Sequence, residues 1–321
     1  SASPVSRAFN HPGLVTPATR KRIEAAVRDL GYLRNRAAQT IHGIRSGTIG
    51  LIVPTVAHAI FADLIQSFSD AVDPLGFTIL LASHGYSLDR EYALTRKMLE
   101  HRVDGVALVG VEHAPETYGL LRQQGVPAVL LWNATATAPV ACVGADNVLA
   151  GRLVGAHVAA LGHRDVATLF PPLGGNDRAA HRHAGLTAAL AEGGAAVPGD
   201  WALETPYSVA EAKAAVGALL DRGSRPAALV CGNDVLAWGA LHALARRGLS
   251  APGDTAVVGI GDFKGSREFE PALTTVRIPA REIGARGAQV IADAIVTPGA
   301  DPVREIVPPT LVVRATCGAA C

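Results

Sequence analysis

The stretch from Ala227 to Ala240, AALVCGNDVLAWGA, shows the pattern that decides the fold of most of the chain. An apolar run, Ala227–Cys231, is followed by the turn residues Gly-Asn-Asp and then by a helical pattern from Asp234 to Arg247. Short apolar runs bounded by turn residues are typical of buried strands. The stretch therefore predicts one strand–turn–helix unit of an α/β fold.

The same pattern recurs along the chain in two series. The first series of apolar runs comprises Ile49–Val53, Phe77–Ala82, Val106–Val109, Ala128–Trp132 and Ala141–Gly144. The second series comprises Val166–Phe170, Ala227–Cys231, Thr255–Ile260 and Leu273–Val276, with Leu311–Val313 near the end. Helical stretches between the runs include Ile60–Val72, Arg90–His101 and Val148–Leu161. Two series predict two halves, each a parallel sheet covered by helices, with a ligand between them at the carboxyl ends of the strands.

The first 47 residues follow a different, helical pattern. We predict a short helix over Pro4–Phe9 and a turn over Asn10–Leu14. Thr16 then forms an N-cap before a proline, and Gly31 ends this second helix. The apolar stripe of the second helix consists of Ile23, Ala26, Val27 and Leu30. One further short helix is predicted over Asn35–His42.

The net charge of +1 hides an asymmetry between this segment and the remainder. Residues 1–47 carry a net charge of +6, and the remainder carries −5. The basic side chains of the segment are Arg7, Arg20, Lys21, Arg22, Arg28, Arg34, Arg36 and Arg45. A small basic module on a mildly acidic body is what a DNA partner requires, although a solvated helix face accounts for the same charges.

Several function classes lack the sequence features that they need. No uninterrupted apolar run reaches about 18 residues, and no export signal stands at the amino terminus, so we expect neither a membrane span nor export. The four cysteines are Cys142, Cys231, Cys317 and Cys321. Their spacing fits neither a metal nor a redox site, which predicts reduced thiols in a cytoplasmic protein. Gly259-Ile-Gly261 lacks a dinucleotide-binding context, and no nucleophile elbow or zinc cluster stands out, so we expect no enzyme, cofactor or metal.

Motifs in a fixed order resemble the LacI/GalR family of transcriptional repressors, and most of all its gluconate-type subgroup. The amino-terminal motifs are Ser1–Asn10, Val15, Thr19-Arg20, Leu30-Gly-Tyr32 and Asn35–Ile41. The later family motifs are Cys231–Ala240, Val257–Asp262 and Pro271–Thr275. The subgroup motifs are Ser83–Ser87, Val111–His113 and Asn176–Arg182. The resemblance covers essentially the whole chain.

The resemblance implies an α/β body like that of periplasmic binding proteins, built from two Rossmann-like subdomains behind an all-α helix-turn-helix headpiece and a hinge helix. Residues 1–47 correspond to a partial headpiece with its hinge, and residues 48–321 to the effector-binding and dimerisation domain. The N-subdomain comprises about 48–146 and 277–306, and the C-subdomain about 147–276 and 307–321. The family's first helix is missing, and Pro4 stands where threonine is usual.

The resemblance also implies the DNA contacts. Ala2 and Ser3 match base-reading positions of the second helix, and Arg7 matches a further base or phosphate contact. The matching phosphate contacts are Ser1, Ser6, Asn10 and Thr19. Helix capping is the alternative role of Ser1 and Ser3. In the hinge helix, the residues that match are Asn35 and Gln39 at the DNA backbone and Ile41 as a minor-groove wedge. Packing against its own domain is the alternative for Ile41.

A small-molecule effector between the two subdomains is a further implication. The matching positions are Ile60, Phe61, His113, Trp132, Asn133, Asn176, Arg178, Arg182, Tyr207, Asn233 and Asp262. Arg182 is the strongest candidate because a guanidinium group holds a carboxylate or a hydroxyl pair bidentately, whereas a surface arginine is the alternative. Sugar-binding members usually carry aspartate where this chain has Gly261. Without this aspartate the positive charges of Arg178 and Arg182 are in excess, which favours an anionic effector, a sugar acid such as gluconate. The alternative is that Asp262 turns inward and replaces the missing carboxylate.

The expected partners are operator DNA for the full-length protein, the effector and a second copy of the chain, because operator half-sites repeat with the two-fold symmetry of a homodimer. The helices expected in the dimer interface are Ile60–Val72, Arg90–Leu99 and Asp234–Arg247. The alternative is a periplasmic-type sugar-binding protein without DNA binding. Such a protein would share the body, lack residues 1–47 and carry an export signal.

Overall fold

The structure is a computed structural model that describes residues 4–10, 12–32, 45–57 and 59–318. The chain divides into two compact units, residues 1–46 and residues 47–321. The predicted hinge helix over 35–42 lies outside the described residues. So do the predicted DNA contacts Ser1, Ala2, Ser3, Asn35, Gln39 and Ile41.

The first unit contains helix α1 (Pro4–Asn10), a 3-10 turn (Pro12–Leu14) and helix α2 (Pro17–Asp29). The side chain of Thr16 accepts the backbone N–H of Thr19, so Thr16 is the N-cap that the sequence predicts. The apolar stripe of α2 lies along an open groove beside α1, and no described residue of α2 is buried.

The body contains two six-stranded sheets. The first sheet has the order β11-β5-β4-β3-β1-β2 and is parallel throughout. Its strands are β1 (Thr48–Val53), β2 (Thr78–Ser83), β3 (Gly105–Val109), β4 (Ala128–Asn133), β5 (Ala141–Ala145) and β11 (Arg304–Ile306). The second sheet has the order β12-β10-β9-β8-β6-β7, in which β12 runs antiparallel to β10. Its strands are β6 (Val166–Phe170), β7 (Ala202–Glu204), β8 (Ala228–Cys231), β9 (Ala256–Gly261), β10 (Thr274–Arg277) and β12 (Thr310–Val312).

Eight helices among the described residues of the body cover these sheets. They are α3 (Ala59–Val72), α4 (Leu88–Glu100), α5 (Pro115–Gln124), α6 (Asn147–Ala160), α7 (Asp177–Glu192), α8 (Val209–Asp221), α9 (Asp234–Ala245) and α10 (Ala280–Val296). Five of them begin after a side chain that accepts a backbone N–H of the first turn, which satisfies a donor that the helix itself cannot pair. The capping residues are Ser87, Asp146, Asn176, Ser208 and Asn233.

The central strands are buried along their whole length, as the continuous apolar runs predict for parallel sheets. Edge strand β2 instead leaves Leu80 and Leu81 more than one third exposed. The sequence prediction missed β7 and β11 because these three-residue edge strands are largely exposed and carry no apolar run.

The chain passes from one sheet to the other three times, after β5, after β10 and after β11. The carboxyl ends of the two sheets face each other across a cleft, since residues that follow β3 contact residues that follow β6. We refer to the half with the first sheet as the first half and to the other as the second half. None of the described helices is both long and apolar enough to span a membrane.

Candidate functional site

The cleft contains two cavities of about 300 Å³ each. One lies between Trp132 at the end of β4 and the segment Gly261–Phe263 at the end of β9. The other lies between Tyr86 of the first half and Tyr207 of the second, beside Asn176. Both cavities are therefore bounded by residues at or after the carboxyl ends of strands, where α/β proteins bind ligands.

Backbone strain is concentrated at these cavities. Four non-glycine residues of the described chain have a positive φ, and Tyr86 (63°), Trp132 (82°) and Asp262 (53°) are three of them. A non-glycine residue in this region costs free energy and is held there by its surroundings, most often at functional sites. The strain thus identifies the cleft as a site by a criterion independent of its shape.

A chain of hydrogen bonds joins the two halves at the floor of the cleft. The Arg182 Nε atom donates to the Asn147 side-chain oxygen at 2.7 Å, and the Asn147 amide donates to Asn133 Oδ1 at 2.6 Å. Arg182 also donates through Nη1 to the Gly232 carbonyl at 3.1 Å. Its side chain is almost completely buried, and burial lowers the pKa of the guanidinium. Arg182 is therefore an interior arginine and not a surface one.

Three buried donors at this floor have no hydrogen-bond partner among the described residues. They are Arg182 Nη2, Asn133 Nδ2 and Trp132 Nε1. The Trp132 ring packs edge-on against the Phe61 ring, with the ring centroids 5.4 Å apart. Buried polar groups without partners are rare in folded proteins, and each calls for an explanation such as a missing ligand or water.

The carboxylates that line the Trp132 cavity are all ion-paired. Asp262 accepts from Arg277 at 2.7 Å and from Arg314 at 2.5 Å. The other two pairs are Asp63 with Arg281 and Glu282 with Arg286. Asp262 therefore does not turn inward as an unpaired carboxylate, which was the alternative that the sequence left open.

Asp177 and Arg178, at the start of α7, make the contacts across the middle of the cleft. Asp177 Oδ2 accepts the backbone N–H of Val111 at 2.7 Å and that of Glu112 at 3.4 Å. Arg178 Nη1 lies 2.8 Å from Asp177 Oδ1, and the guanidinium lies over the Tyr86 ring at 5.9 Å. Burial alone would raise the pKa of Asp177, but Arg178 and these backbone donors hold it below its usual range.

The remaining predicted effector residues differ in what they offer. Asn176 donates from Nδ2 to the Tyr207 hydroxyl at 3.2 Å. Asn233 Oδ1 accepts the N–H of Leu236 as the cap of α9, so this side-chain oxygen is engaged in structure. The side chain of Ile60 lies outside what the structure describes.

His113 has hydrogen-bond partners within the first half. Its Nδ1 lies 2.8 Å from Glu91 Oε1 and its Nε2 lies 3.1 Å from the Gly110 carbonyl. Both nitrogens are therefore engaged and the ring is buried. Its role as an additional effector ligand stays a prediction, because sequence position does not reveal which way a loop side chain points.

His84 lies on the other side of Glu91, with His84 Nε2 3.7 Å from Glu91 Oε2. Burial lowers the pKa of His84, Arg178 and His113 lower it further, and Glu91 opposes them. The folded state therefore keeps His84 neutral where the unfolded chain takes up a proton. The stabilisation is complete above the unfolded pKa, near 6.5, and is lost as the pH falls below it.

We accordingly predict that His84→Gln reduces the loss of stability between pH 7.5 and pH 5.5. Each proton bound by the unfolded state alone costs up to about 1.4 kcal/mol of unfolding free energy per pH unit. Urea unfolding at both pH values measures the difference. His183 has a lowered pKa through burial as well and contributes in the same direction. The control is His181→Gln, which makes the same exchange at an exposed position. Equal pH dependence of wild type and His84→Gln would contradict the assignment.

Among the residues of the cleft that the predicted effector set did not include, four make the contacts or line the cavities described above. They are Tyr86, Asn147, Asp177 and Phe263. Asp177 and Tyr86 lie within the subgroup motifs Asn176–Arg182 and Ser83–Ser87, so their positions in the sequence could have indicated a place in the cleft. For Asn147 and Phe263 the sequence offers no comparable signal.

Two predicted DNA contacts have described side chains. Arg7 and Thr19 are both exposed, and they lie on α1 and α2. Ser6 and Asn10 are in α1, but their side chains lie outside the described set.

Two family models match the chain. The model for bacterial regulatory proteins of the lacI family matches residues 1–35, and the model for a periplasmic binding protein-like domain matches residues 155–317. The first match argues against a sugar-binding protein that lacks a DNA-binding segment.

Known proteins resemble the chain over most of its length. The HTH-type transcriptional repressor PurR of Photorhabdus laumondii is 28% identical over 316 residues, which are 98% of this chain and 92% of PurR. The transcription regulator GntR from Chromobacterium violaceum has a TM-score of 0.79 at 28% identity, over 85% of this chain and 100% of that one. The lac repressor dimer bound to operator and the anti-inducer ONPF has a TM-score of 0.85 at 25% identity, over 98% of this chain and 94% of that one.

These matches account for both units of the chain, the helical segment and the two-sheet body. Because the family consists of regulatory proteins, they also confirm the prediction that the chain is not an enzyme. The chain belongs to the lacI family of bacterial regulatory proteins, with a periplasmic binding protein-like domain as its body.

Proposed function

We propose that this regulator is a transcriptional repressor whose operator affinity is controlled by a sugar acid, such as gluconate, bound in the cleft between the two halves. The observation that carries the effector assignment is the set of buried donors without partners at the cleft floor, on Arg182, Asn133 and Trp132. A ligand with several hydrogen-bond acceptors would provide partners for these donors. A carboxylate provides two acceptor oxygens and a charge opposite to that of Arg182.

The charges around the cleft support an anion over a neutral sugar. Two nearby carboxylates are already held by arginines or by backbone donors: Asp262 by Arg277 and Arg314, and Asp177 by Arg178 and three backbone N–H groups. Arg182 has no carboxylate partner among the described residues, and its charge is buried. Asp234 and Asp177 compensate this buried charge only through space, so a ligand carboxylate in contact with it gains more than a neutral ligand.

The DNA-binding part of the proposal rests on the first unit. Its net charge of +6 suits a phosphate backbone, and the lacI family model matches it. We extend the proposal to the predicted contacts: Ser1, Ala2, Ser3, Ser6, Arg7, Asn10, Thr19, Asn35, Gln39 and Ile41. A homodimer completes the proposal, because the lac repressor that the chain resembles is a dimer on its operator. The exposed apolar side chains of edge strand β2 give the first half a surface that suits such an interface.

Effector control requires that the ligand bind the two arrangements of the halves with different affinities. Arg182, Asn147 and Asn133 connect the halves directly, so a carboxylate on Arg182 and Asn133 would stabilise the closed arrangement. We propose that closure changes the spacing of the two DNA-binding segments of the dimer and releases the operator.

A thermal-shift screen of the chain with aldonates, neutral sugars and purines tests the effector class. A ligand at about 100 times its Kd adds about 2.7 kcal/mol to the unfolding free energy, which raises the midpoint clearly. We expect stabilisation by gluconate or related aldonates and little by glucose at equal concentration. Stabilisation by a neutral sugar or a purine alone would refute the anionic effector and leave the family assignment intact.

A further inference from the structure

The end of strand β9 is shaped by a contact between a glycine and an aromatic ring. Gly261 has a φ of 141°, and a Cβ atom built on it would lie 2.1 Å from Cε1 and 2.6 Å from Cζ of Phe263. The Phe263 ring therefore occupies the space that any side chain at position 261 would need. A carboxylate or an amide at 261 cannot reach the cavity while the ring is there.

The ring is held in this place by the segments around it. The Phe263 N–H donates to Asp234 Oδ2 at 2.8 Å, and Ser266 donates its hydroxyl to the same oxygen at 2.6 Å. Thr275 donates to the other oxygen of Asp234 at 2.6 Å. The Phe263 ring also meets the Trp238 ring edge-on, with the centroids 6.4 Å apart. These contacts fix the backbone and the ring, so the filled space is a stable feature of the fold.

The consequence for the cavity is an apolar wall opposite Trp132. Phe263 and Ile278 line the cavity after β9 and β10, together with Asp262 and Arg277, whose side chains are paired with each other, and Asp262 also binds Arg314. A ligand hydroxyl pressed against this wall loses its hydrogen bonds to water and gains none from the ring. A buried hydroxyl without a partner weakens binding by about tenfold or more.

We propose that Phe263 is a specificity-determining residue, and that it selects a sugar acid that presents a deoxygenated carbon to this wall. The inference rests on the proposed function, because it takes the cleft as the binding site of a sugar acid. Among aldonates of one chain length, a monodeoxy acid whose missing hydroxyl faces Phe263 binds more tightly than the fully hydroxylated acid.

Calorimetric titration of the chain with gluconate and with 2-, 3- and 6-deoxygluconate tests this preference. We expect at least one deoxy acid to bind about tenfold more tightly than gluconate. Phe263→Leu keeps an apolar wall and should keep the preference. Phe263→Asn has the same branching of side-chain heavy atoms as leucine but is polar, and it should reduce the preference to less than about threefold. If the asparagine variant does not fold, Phe263→Ala, which admits water, should reduce the preference in the same way.

The outcomes separate the two proposals. Binding of acids with gluconate preferred over every deoxy acid overturns the role of Phe263 and leaves the sugar-acid effector standing. An unchanged preference in folded Phe263→Asn or Phe263→Ala overturns it as well. Failure of all four acids to bind the wild-type chain overturns the sugar-acid effector itself, and the inference falls with it.

Discussion

Arg182→Met should lower the affinity of the chain for gluconate by at least about 100-fold while leaving the fold intact. The variant removes the charge and two hydrogen-bond donors from the floor of the cleft, and each bond to a charged group contributes about 1.5–3 kcal/mol. Methionine is an apolar side chain of comparable length. It replaces a buried arginine that has no carboxylate partner among the described residues. The variant also takes a donor from Asn147 Oδ1 and from the Gly232 carbonyl, so we expect a lower unfolding midpoint in a chain that still folds.

Titration calorimetry measures the affinity, and thermal unfolding reports the fold. The matched control is Arg225→Met, since Arg225 lies in the same half and donates to the Leu220 and Ser224 carbonyls outside the cleft. Its affinity for gluconate should equal that of the wild type. A folded Arg182→Met variant that still binds gluconate like the wild type would show that the acid binds elsewhere.

Asp177→Ala should shift the cleft toward an open arrangement in the absence of any ligand. The variant removes the acceptor of the Val111 and Glu112 N–H groups, which are the backbone contacts from the first half to α7. It also removes the partner of Arg178, which then has one contact fewer to hold it over Tyr86. Hydrogen bonds to a buried charge contribute about 1.5–3 kcal/mol, so the equilibrium should move by about 10- to 100-fold.

Hydrogen exchange followed by mass spectrometry measures this shift at the peptide that contains Val111 and Glu112. We expect exchange there to be at least about tenfold faster in Asp177→Ala. Asp254→Ala is the control, because Asp254 also accepts a backbone N–H, that of Ser250, but does so on the surface of the second half. Equal protection of the peptide in the wild type and in Asp177→Ala would mean that the carboxylate does not hold the halves together.

The fold could be predicted from the sequence because parallel strands that are buried on both faces consist of continuous apolar runs. All ten predicted runs begin and end within one residue of a strand as the structure has it, from Thr48–Val53 to Thr310–Val312. The run near the end, Leu311–Val313, overlaps β12. Edge strands such as Arg304–Ile306 could not be predicted in this way, since an exposed strand needs no apolar run.

Only part of the site could be predicted from the sequence, because several of its contacts depend on the tertiary structure. Arg182, Asn133 and Trp132 were predicted, and the structure gives each a buried donor without a partner in the described chain. Asn147, which joins Arg182 to Asn133, looks in the sequence like an ordinary first residue of a helix. The placement of Phe263 depends on a rotamer and on a glycine two residues earlier, and neither is visible in composition or spacing.

The absence of aspartate at position 261 was an informative observation that the structure now explains differently. The sequence indicated less negative charge at this place. The structure fills that place with the Phe263 ring, so the change is one of shape and polarity as well as of charge. The arginines that hold Asp262 preserve the conclusion that no unpaired carboxylate faces this cavity from the described residues.

The proposed regulation depends on a sugar acid bound at the cleft floor with its carboxylate on Arg182. A crystal structure of the chain grown with gluconate would show this contact. We expect density for one gluconate between the halves, with its carboxylate within hydrogen-bond distance of Arg182 Nη2 and of the Asn133 amide. Gluconate bound outside the cleft, or bound within it with a hydroxyl and not the carboxylate at Arg182, would refute the proposed binding mode.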